Sequence, residues 1–288
     1  MNNIVEEYNA FGPWIIEIKK TKDIPQFFSN QFEIESNDYI VKIPREIERR
    51  IAKPGMNLYN MIIILRKNKL ILLEKVKESV KRSEIDFNQI ISIINTNNIL
   101  KGTLEFITTN ETFTVNYNVA SSMTIDNIIT VIRGKKELQD KSNSISFDNK
   151  ENITLSFFFK NLMEQIQNRE EIKLLDFQDT IKIKRAKKNI ISMIRDTIHN
   201  PYSRTTMLLT NYKELIIVNA DSSSKKDRIG GYSYTHYYIP LNEIKSINIS
   251  EHNIFTNINS LDINLNNTTF SFDIEKKKNM ESLIKAFK

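Results

Sequence analysis

The sequence of 288 residues contains no cysteine and only six glycines and six prolines. Without cysteine there are no disulfide bonds, thiolate zinc sites, iron–sulfur clusters or cysteine nucleophiles. The glycines form neither a Walker loop nor a dinucleotide-binding pattern, and the one adjacent pair, Gly230 and Gly231, is predicted to be a simple turn. These absences exclude several classes of redox and nucleotide-binding protein.

Long apolar segments are missing too. The longest apolar runs cover residues 61–65 and 70–73, with a polar stretch over residues 66–69 between them. A membrane-spanning helix needs about 20 consecutive apolar residues, so neither run is long enough. The first residues show no basic start followed by an apolar segment, so no secretory signal is predicted. We therefore expect a cytoplasmic protein.

Residues with catalytic or metal-binding chemistry are scarce. The three histidines, His199, His236 and His252, lack the HExxH or HxxxH spacing of a metal site, and the sequence has no GxSxG motif. Aspartate and glutamate are plentiful, but their pairs are equally those of an ordinary surface. We therefore expect no enzyme activity, no catalytic residues, no metal site and no cofactor.

Isoleucine and asparagine, by contrast, are abundant, with 47 and 34 residues respectively. Isoleucine is β-branched and favours strands. Asparagine favours turns and tolerates a positive φ, so we expect it to replace glycine in many turns. Together the two counts favour a chain of strands joined by asparagine-rich turns.

Four segments of the sequence occur twice, in the same order. Two are predicted hairpins with alternating apolar residues, one is a strand that follows an Asn-containing turn, and the last is an amphipathic helix. The pairs are MIIILRKNKLILLE (61–74) with TMLLTNYKELIIVN (206–219), EIDFNQIISIIN (84–95) with YIPLNEIKSINI (238–249), GTLEFITTNETFTVNYN (102–118) with NSLDINLNNTTFSFDI (259–274), and SSMTIDNIITVIR (121–133) with KKNMESLIKAFK (277–288). Residues 38–53 and 179–194 form a further pair, each a short strand followed by a helix-compatible stretch.

The repeat predicts two similar domains, over residues 37–134 and 169–288. Each has about five to seven antiparallel strands and a C-terminal amphipathic helix. Residues 1–36 are predicted to be an N-terminal extension with one strand and a short helical turn. Residues 135–168 are predicted to be a polar linker that ends in an amphipathic helix, whose apolar face carries Leu155, Phe158, Phe159, Leu162, Met163 and Ile166.

The second copy resembles the PH-like superfold, in particular the bacterial PH and GRAM-type domains. MLLTNYKELIIV is similar to the family's L-T-N-x-R-L-I hairpin, with Lys213 or Glu214 near the usual arginine, and YIPLNEIKSINI is similar to its I-P-L-x-x-I-x-x-I strand. In the first copy, Arg66, Lys67 and Asn68 stand in place of Leu-Thr-Asn. The resemblance implies a mainly β (α+β) fold of tandem PH-like β-barrel or sandwich domains, each with sheets of four and three strands and a closing helix.

Two basic clusters are candidate binding sites. The net charge is +6, but the excess is dispersed along the chain, which disfavours nucleic acid as a partner. The densest cluster contains Lys182, Lys184 and Arg185, which are either a solvated surface or a site for phosphate or an acidic partner. Lipid-binding PH domains carry basic residues around the first hairpin. The resemblance therefore implies a phosphoinositide site in the first copy, at Arg66, Lys67 and Lys69.

A third candidate site is an alternating aromatic strand in the second copy. Tyr232, Tyr234, His236 and Tyr238 share one face of it. Exposed, such a ladder binds a peptide or stacks on bases. Buried, the same rings fill the core or shield the sheet.

The leading functional hypothesis is a non-enzymatic binding or scaffold protein. Its partner is expected to be a protein or peptide, because open sheet edges can accept a partner strand and catalytic motifs are lacking. The alternative hypothesis is peripheral binding to an anionic membrane surface through the basic residues of the first domain.

Overall fold

The computed structural model describes residues 2–136, 138, 154–185, 202–220, 233–252 and 254–278. It confirms the predicted mainly β class. The helices in the described part are α1 (Asn2–Ala10), α2 (Ser122–Lys135) and α3 (Phe157–Gln167). The strands are β1 (Ile16–Glu17), β2 (Tyr39–Pro44), β3 (Tyr59–Arg66), β4 (Lys69–Val76), β5 (Ser79–Asp86), β6 (Ile90–Asn98), β7 (Lys101–Thr108), β8 (Thr112–Asn118), β9 (Lys173–Gln178), β10 (Thr205–Thr210), β11 (Glu214–Ala220), β12 (Ser233–Pro240), β13 (Ser246–Glu251), β14 (Ile258–Asn264) and β15 (Thr269–Glu275). Short 3₁₀ turns lie at Thr21–Asp23, Gln26–Phe28, Phe87–Gln89, Val119–Ser121 and Leu241–Glu243.

The strands form three sheets, with the orders β1-β2-β3-β4-β5, β8-β7-β6-β12-β11-β10-β9 and β13-β14-β15. In the second sheet a strand of the second copy, β12, pairs antiparallel with a strand of the first, β6. Ser233 lies opposite Asn98, and Tyr238 lies opposite Ile93. Among the described residues each sheet is open, so the closed barrels that we expected are not found.

The order of strands and 3₁₀ turns in the described residues is the same in the two predicted copies. Strands β2–β5 are followed by a 3₁₀ turn and β6–β8 in the first copy; β9–β12 are followed by a 3₁₀ turn and β13–β15 in the second. The Asn-containing motif therefore makes the same turn twice, at Phe87–Gln89 and at Leu241–Glu243. The predicted helix of the first copy is α2, whereas residues 279–288, most of the second predicted helix, lie outside the described residues.

The chain divides into two compact units. Unit 1 comprises Met1–Ile90, Ile99–Glu105 and Phe113–Glu137, and unit 2 comprises Ile91–Asn98, Phe106–Thr112 and Leu138–Lys288. The core of unit 1 combines residues of β2, β3 and β4 with residues of the segments 11–28 and 52–58, and Phe28 and Tyr59 are fully buried in it. The core of unit 2 joins residues of β6, β10, β11 and β12 to those of β13, β14 and β15. The predicted domain boundaries and the PH-like family stay predictions.

Two parts of unit 1 differ from the sequence prediction. Residues 2–10 form α1, a helix that we did not predict, and the expected strand over residues 14–19 is reduced to Ile16–Glu17. The predicted helix after Pro44 is absent from the described chain, where only one turn forms, with Ala52 N donating to Glu48 O. Arg45 N instead donates to Leu58 O at 2.9 Å, so the backbone continues its pairing beyond β2.

Asparagine replaces glycine in turns less often than we expected. Five described residues other than glycine have a positive φ: Asn37, Lys67, Lys77, Ile99 and Tyr212. In the turns at 66–69 and 211–214 the left-handed residue is Lys67 or Tyr212, next to the asparagine. Asn211 instead stabilises its turn with its side chain, accepting hydrogen bonds from Lys213 N and Glu214 N.

Candidate functional site

The candidate site is a pocket of about 270 Å³ in unit 1. Its walls come from α1, from the 3₁₀ turn at Gln26–Phe28 and from the loop over residues 55–58, which leads into β3. The lining residues are Ile4, Glu7, Gln26, Phe27, Gly55, Met56, Asn57 and Leu58. They combine apolar side chains, two amides and one carboxyl group, a mixture typical of ligand pockets.

The loop over residues 55–58 is fixed by a turn and by one arginine. Gly55 has a φ of 85°, in the left-handed region that glycine adopts without strain. Arg45, just after β2, donates from Nη1 to Asn57 O at 3.0 Å and from its backbone N to Leu58 O at 2.9 Å. These bonds hold the loop against the end of β2 and set the pocket wall.

The side-chain amide of Asn57 lacks internal partners. Its Nδ2 and Oδ1 are both buried, and within the described part of the chain neither makes a hydrogen bond. A buried polar group without a partner costs roughly 1–3 kcal/mol. A ligand that displaced the groups covering this amide and presented one acceptor and one donor would satisfy both atoms, and a peptide group presents that pair.

Behind the pocket lies a buried lysine–tyrosine pair. Lys42 is 5% exposed, and its Nζ donates to Asp23 O at 2.8 Å and lies 4.6 Å from the ring centroid of Tyr59. Burial lowers the pKa of Lys42, against the attraction of Glu7 and Asp23. Burial, assisted by Glu7, raises the pKa of the Tyr59 phenol far above its usual value. The phenol is therefore neutral, and its oxygen is buried with no hydrogen bond to a described residue.

Glu7 is the carboxyl group of the pocket lining. Burial raises its pKa, and the ammonium of Lys42 opposes that shift. No ion pair within 4.0 Å joins Glu7 to Lys42 or to another described residue. The Glu7 carboxylate is therefore partly desolvated without a direct counter-ion in the described chain, and this makes it a ready partner for a ligand cation.

The wall formed by α1 is anchored by Arg49. Its Nη1 donates to Phe11 O at 2.8 Å and also contacts Tyr8 O, at the C-terminal end of α1. Its guanidinium lies 4.2 Å from the centroid of the Tyr8 ring. A cation at a helix C-terminus interacts favourably with the carbonyl groups there, so Arg49 stabilises the helix that carries Ile4 and Glu7.

The basic residues predicted at the first hairpin lie at the turn between β3 and β4. Arg66 forms a two-bond contact with Asp38, at 3.0 and 2.7 Å, and an ion pair with Glu35 at 2.6 Å. Hydrogen bonding to Asp38 raises the pKa of Arg66 further. Lys69 pairs with Glu84 at 3.5 Å, and Lys67 is exposed at the tip. Arg66 is therefore occupied within the fold, while Lys67 faces solvent.

The second basic cluster lies in an extended segment of unit 2. Lys182 and Lys184 are exposed on either side of the buried Ile183. Lys184 N donates to Asn257 Oδ1 at 2.7 Å, and Lys182 O accepts from Asn257 Nδ2 at 2.9 Å. The guanidinium of Arg185 lies 5.3 Å from the ring centroid of Phe255. Backbone bonds thus fix this segment and leave the two lysine side chains in solvent.

The described part of the aromatic ladder lies against helix α3. Tyr234 and His236 have ring centroids 5.2 Å apart, and Phe158 of α3 lies 5.8 Å from Tyr234. His236 is 8% exposed, and Tyr234 is half-buried. Tyr232 lies outside the described residues. The rings that we can place therefore pack within unit 2 and do not form an open stacking surface.

None of the described residues that we predicted as sites lines the pocket. The sequence carries one signal for it, the Pro-Gly turn just before Asn57, but burial of the amide follows only from the fold.

Within the described residues no group of three or more acids and histidines is placed to hold a metal ion. No described helix is long and apolar enough to cross a membrane.

The chain matches no protein-family model, and no curated protein matches it.

Proposed function

We propose that the chain is a non-enzymatic binding protein with tandem PH-like domains, and that a partner protein docks a peptide segment into the pocket of unit 1. The observation that carries this proposal is the buried amide of Asn57, whose donor and acceptor both lack a partner in the described chain. A peptide group in an extended segment supplies the complementary acceptor and donor.

The size of the pocket supports a peptide over a cofactor. Sites for drug-sized ligands span roughly 300–1,000 Å³, and this pocket has about 270 Å³. Such a volume suits one side chain with its peptide group. The order of four strands followed by three in each copy agrees with the PH-like part of the proposal.

The test is a binding screen with a library of acetylated and amidated hexapeptides against the full chain. We expect some members to bind, and Asn57→Leu to weaken them about tenfold, because it removes both amide contacts at similar side-chain size. Asn60→Leu is the matched control, since Asn60 is exposed on β3 and outside the pocket lining. A library that binds neither protein, or that binds wild type and Asn57→Leu equally, contradicts the proposal.

The alternative, docking on an anionic membrane, draws less support from the first hairpin. Arg66 and Lys69 are paired with carboxylates there, so among the described residues of that turn Lys67 is the exposed cation without a carboxylate partner. Co-sedimentation with vesicles of mixed neutral and anionic lipid is the test. Salt-sensitive binding that Lys67→Ala removes would favour the membrane over the peptide.

A further inference from the structure

We infer that the pocket of unit 1 selects a lysine or arginine residue of the partner, with the Glu7 carboxylate as its counter-ion. This inference rests on the proposed peptide-binding function and adds the side-chain class to it. Three features of the pocket carry it: its charge, its apolar wall and the position of the Asn57 amide.

The charge of the lining is negative. Among the described lining side chains Glu7 is the one titratable residue, and no described residue forms an ion pair with it. The nearby ammonium of Lys42 does not line the pocket and is occupied by Asp23 O and the ring of Tyr59. A ligand cation would therefore meet a carboxylate that has no competing direct partner in the described chain.

The apolar wall suits the stem of a basic side chain. Ile4, Phe27, Met56 and Leu58 line the pocket together with Glu7. Lysine and arginine bury three or four methylene groups while the charged head remains at a polar group. The ring of Phe27 already accommodates one cation, because Lys75 Nζ lies 3.8 Å from its centroid. Lys75 itself lies 3.7 Å from Glu78, which reduces its repulsion of a second cation.

The Asn57 amide favours a residue within a peptide over a free amine. A cation offers donors only, so it would satisfy Oδ1 of Asn57 and leave Nδ2 without an acceptor. A lysine residue in a peptide offers a carbonyl oxygen, an amide N–H, an apolar stem and an ammonium group. These four groups match the amide, the apolar wall and the carboxylate of the pocket.

The experiment compares two capped tripeptides, acetyl-Ala-Lys-Ala-amide and acetyl-Ala-norleucine-Ala-amide, which differ in the ammonium group. Dissociation constants come from NMR titration of the full chain. We expect wild type to bind the lysine peptide about tenfold more tightly than the norleucine peptide, since the two differ by one charge-assisted hydrogen bond. In Glu7→Gln the ratio should fall to about one, while the affinity for norleucine stays unchanged.

Glu6→Gln is the matched control, because Glu6 is an exposed neighbour on α1 that does not line the pocket. It should keep the tenfold ratio. Equal binding of both peptides by wild type, with loss of both in Asn57→Leu, overturns the lysine preference and leaves the peptide-binding function standing. Absence of binding by either peptide, together with a negative hexapeptide screen, overturns the function itself.

Discussion

The turn between β3 and β4 in unit 1 and the turn between β10 and β11 in unit 2 occupy the same place in the repeat. Both put a left-handed residue at the same position, Lys67 with a φ of 53° and Tyr212 with a φ of 64°. The residue before it is charged in one turn and neutral in the other. Arg66 reaches Asp38 and Glu35, whereas Asn211 bonds the backbone of its own turn.

This difference shows that the repeat preserves backbone geometry more closely than side-chain chemistry. Turn shape depends on local φ and ψ, which the two sequences satisfy in the same way. The ion pair of the first turn depends on residues 35–38, outside the hairpin, and the second turn has its outside contact at Glu170, 2.6 Å from Asn211 Nδ2. The basic residue of the first turn therefore belongs to a structural ion pair and is not by itself evidence of a binding site.

The largest effect should come from removing the cation of the first turn. Arg66→Leu leaves the Asp38 side chain, which is 1% exposed, without its charged partner. Breaking such a pair costs about 3 kcal/mol of the free energy of unfolding. Urea denaturation measures this loss. Lys69→Ala is the control, because among the described residues Lys69 forms its one ion pair with the exposed Glu84, at 3.5 Å. Equal losses in the two variants would show that Arg66 is an ordinary surface residue.

The matching change in the second turn should cost less. Asn211→Ala removes the acceptor for Lys213 N and Glu214 N and the donor to Glu170, all neutral or partly solvated bonds. We expect a loss of about 1.5 kcal/mol, measured by the same urea denaturation. A loss that exceeds that of Arg66→Leu would reverse the order of the two turns.

Replacement of the two left-handed residues by glycine should change the stability of the protein in opposite directions. Lys67→Gly relieves a strained φ at an exposed tip and should stabilise the protein by about 0.5–1 kcal/mol. Tyr212→Gly relieves the same strain but removes a ring that packs against the core of unit 2, so a net loss of about 1 kcal/mol is expected. Thermal unfolding of both variants checks the signs. Stabilisation by both changes would show that packing of Tyr212 does not matter, and destabilisation by both would show that the left-handed φ of Lys67 carries no strain.

The smallest predicted effect concerns the pH dependence of stability. Glu7 in unit 1 and Asp262 in unit 2 should contribute to it with opposite signs. Burial raises the pKa of Glu7, despite Lys42, so the folded state holds that proton more tightly than the unfolded state. This contribution to stability is fully present below the ordinary pKa of 4.5 and is lost as the pH rises through the folded pKa. In Glu7→Gln that decline should be absent.

Asp262 of unit 2 provides the opposite case. Burial acts to raise its pKa, but three serine hydroxyls lower it more, those of Ser260, Ser271 and Ser250. Its contribution is therefore present above the ordinary pKa of 3.8 and lost as the pH falls through the lower folded pKa. Urea denaturation of Glu7→Gln and Asp262→Asn between about pH 3 and pH 7 checks both signs. If the two variants change the profile in the same direction, the assigned causes are wrong.

The hairpins and the repeated 3₁₀ turn could be predicted from sequence, because each depends on contacts between near neighbours in the chain. Leu104, Val115, Leu261 and Ile263 fall on the buried face that alternation predicts. Helix α2 could also be predicted from its apolar spacing, and Ile125, Ile128, Ile129 and Ile132 are buried as that spacing requires. Met123 belongs to the same apolar pattern but is 74% exposed.

The candidate site could not be predicted, because its parts are distant in sequence and each is locally unremarkable. Helix α1 has only nine residues, and its C-terminal end is stabilised by Arg49, about 40 residues later, so the helix depends on a contact that its own sequence does not contain. In the sequence Asn57 is indistinguishable from the other turn asparagines, because the burial of its amide is visible only in the fold. The aromatic ladder of β12 was open to two interpretations, and the packing of Phe158 on Tyr234 selects the shielded one for the described rings.

The pairing of β6 with β12 also has a consequence for synthesis. Asn98 and Ser233, which lie opposite each other, are 135 residues apart in the chain. Translation at about 5–20 residues per second leaves β6 without that neighbour for about 7–27 s. During this time its outer edge exposes unpaired amide and carbonyl groups on the ribosome, and such edges recruit other strands. Until β12 emerges, the outer edge of β6 is therefore the expected site of aggregation between nascent chains.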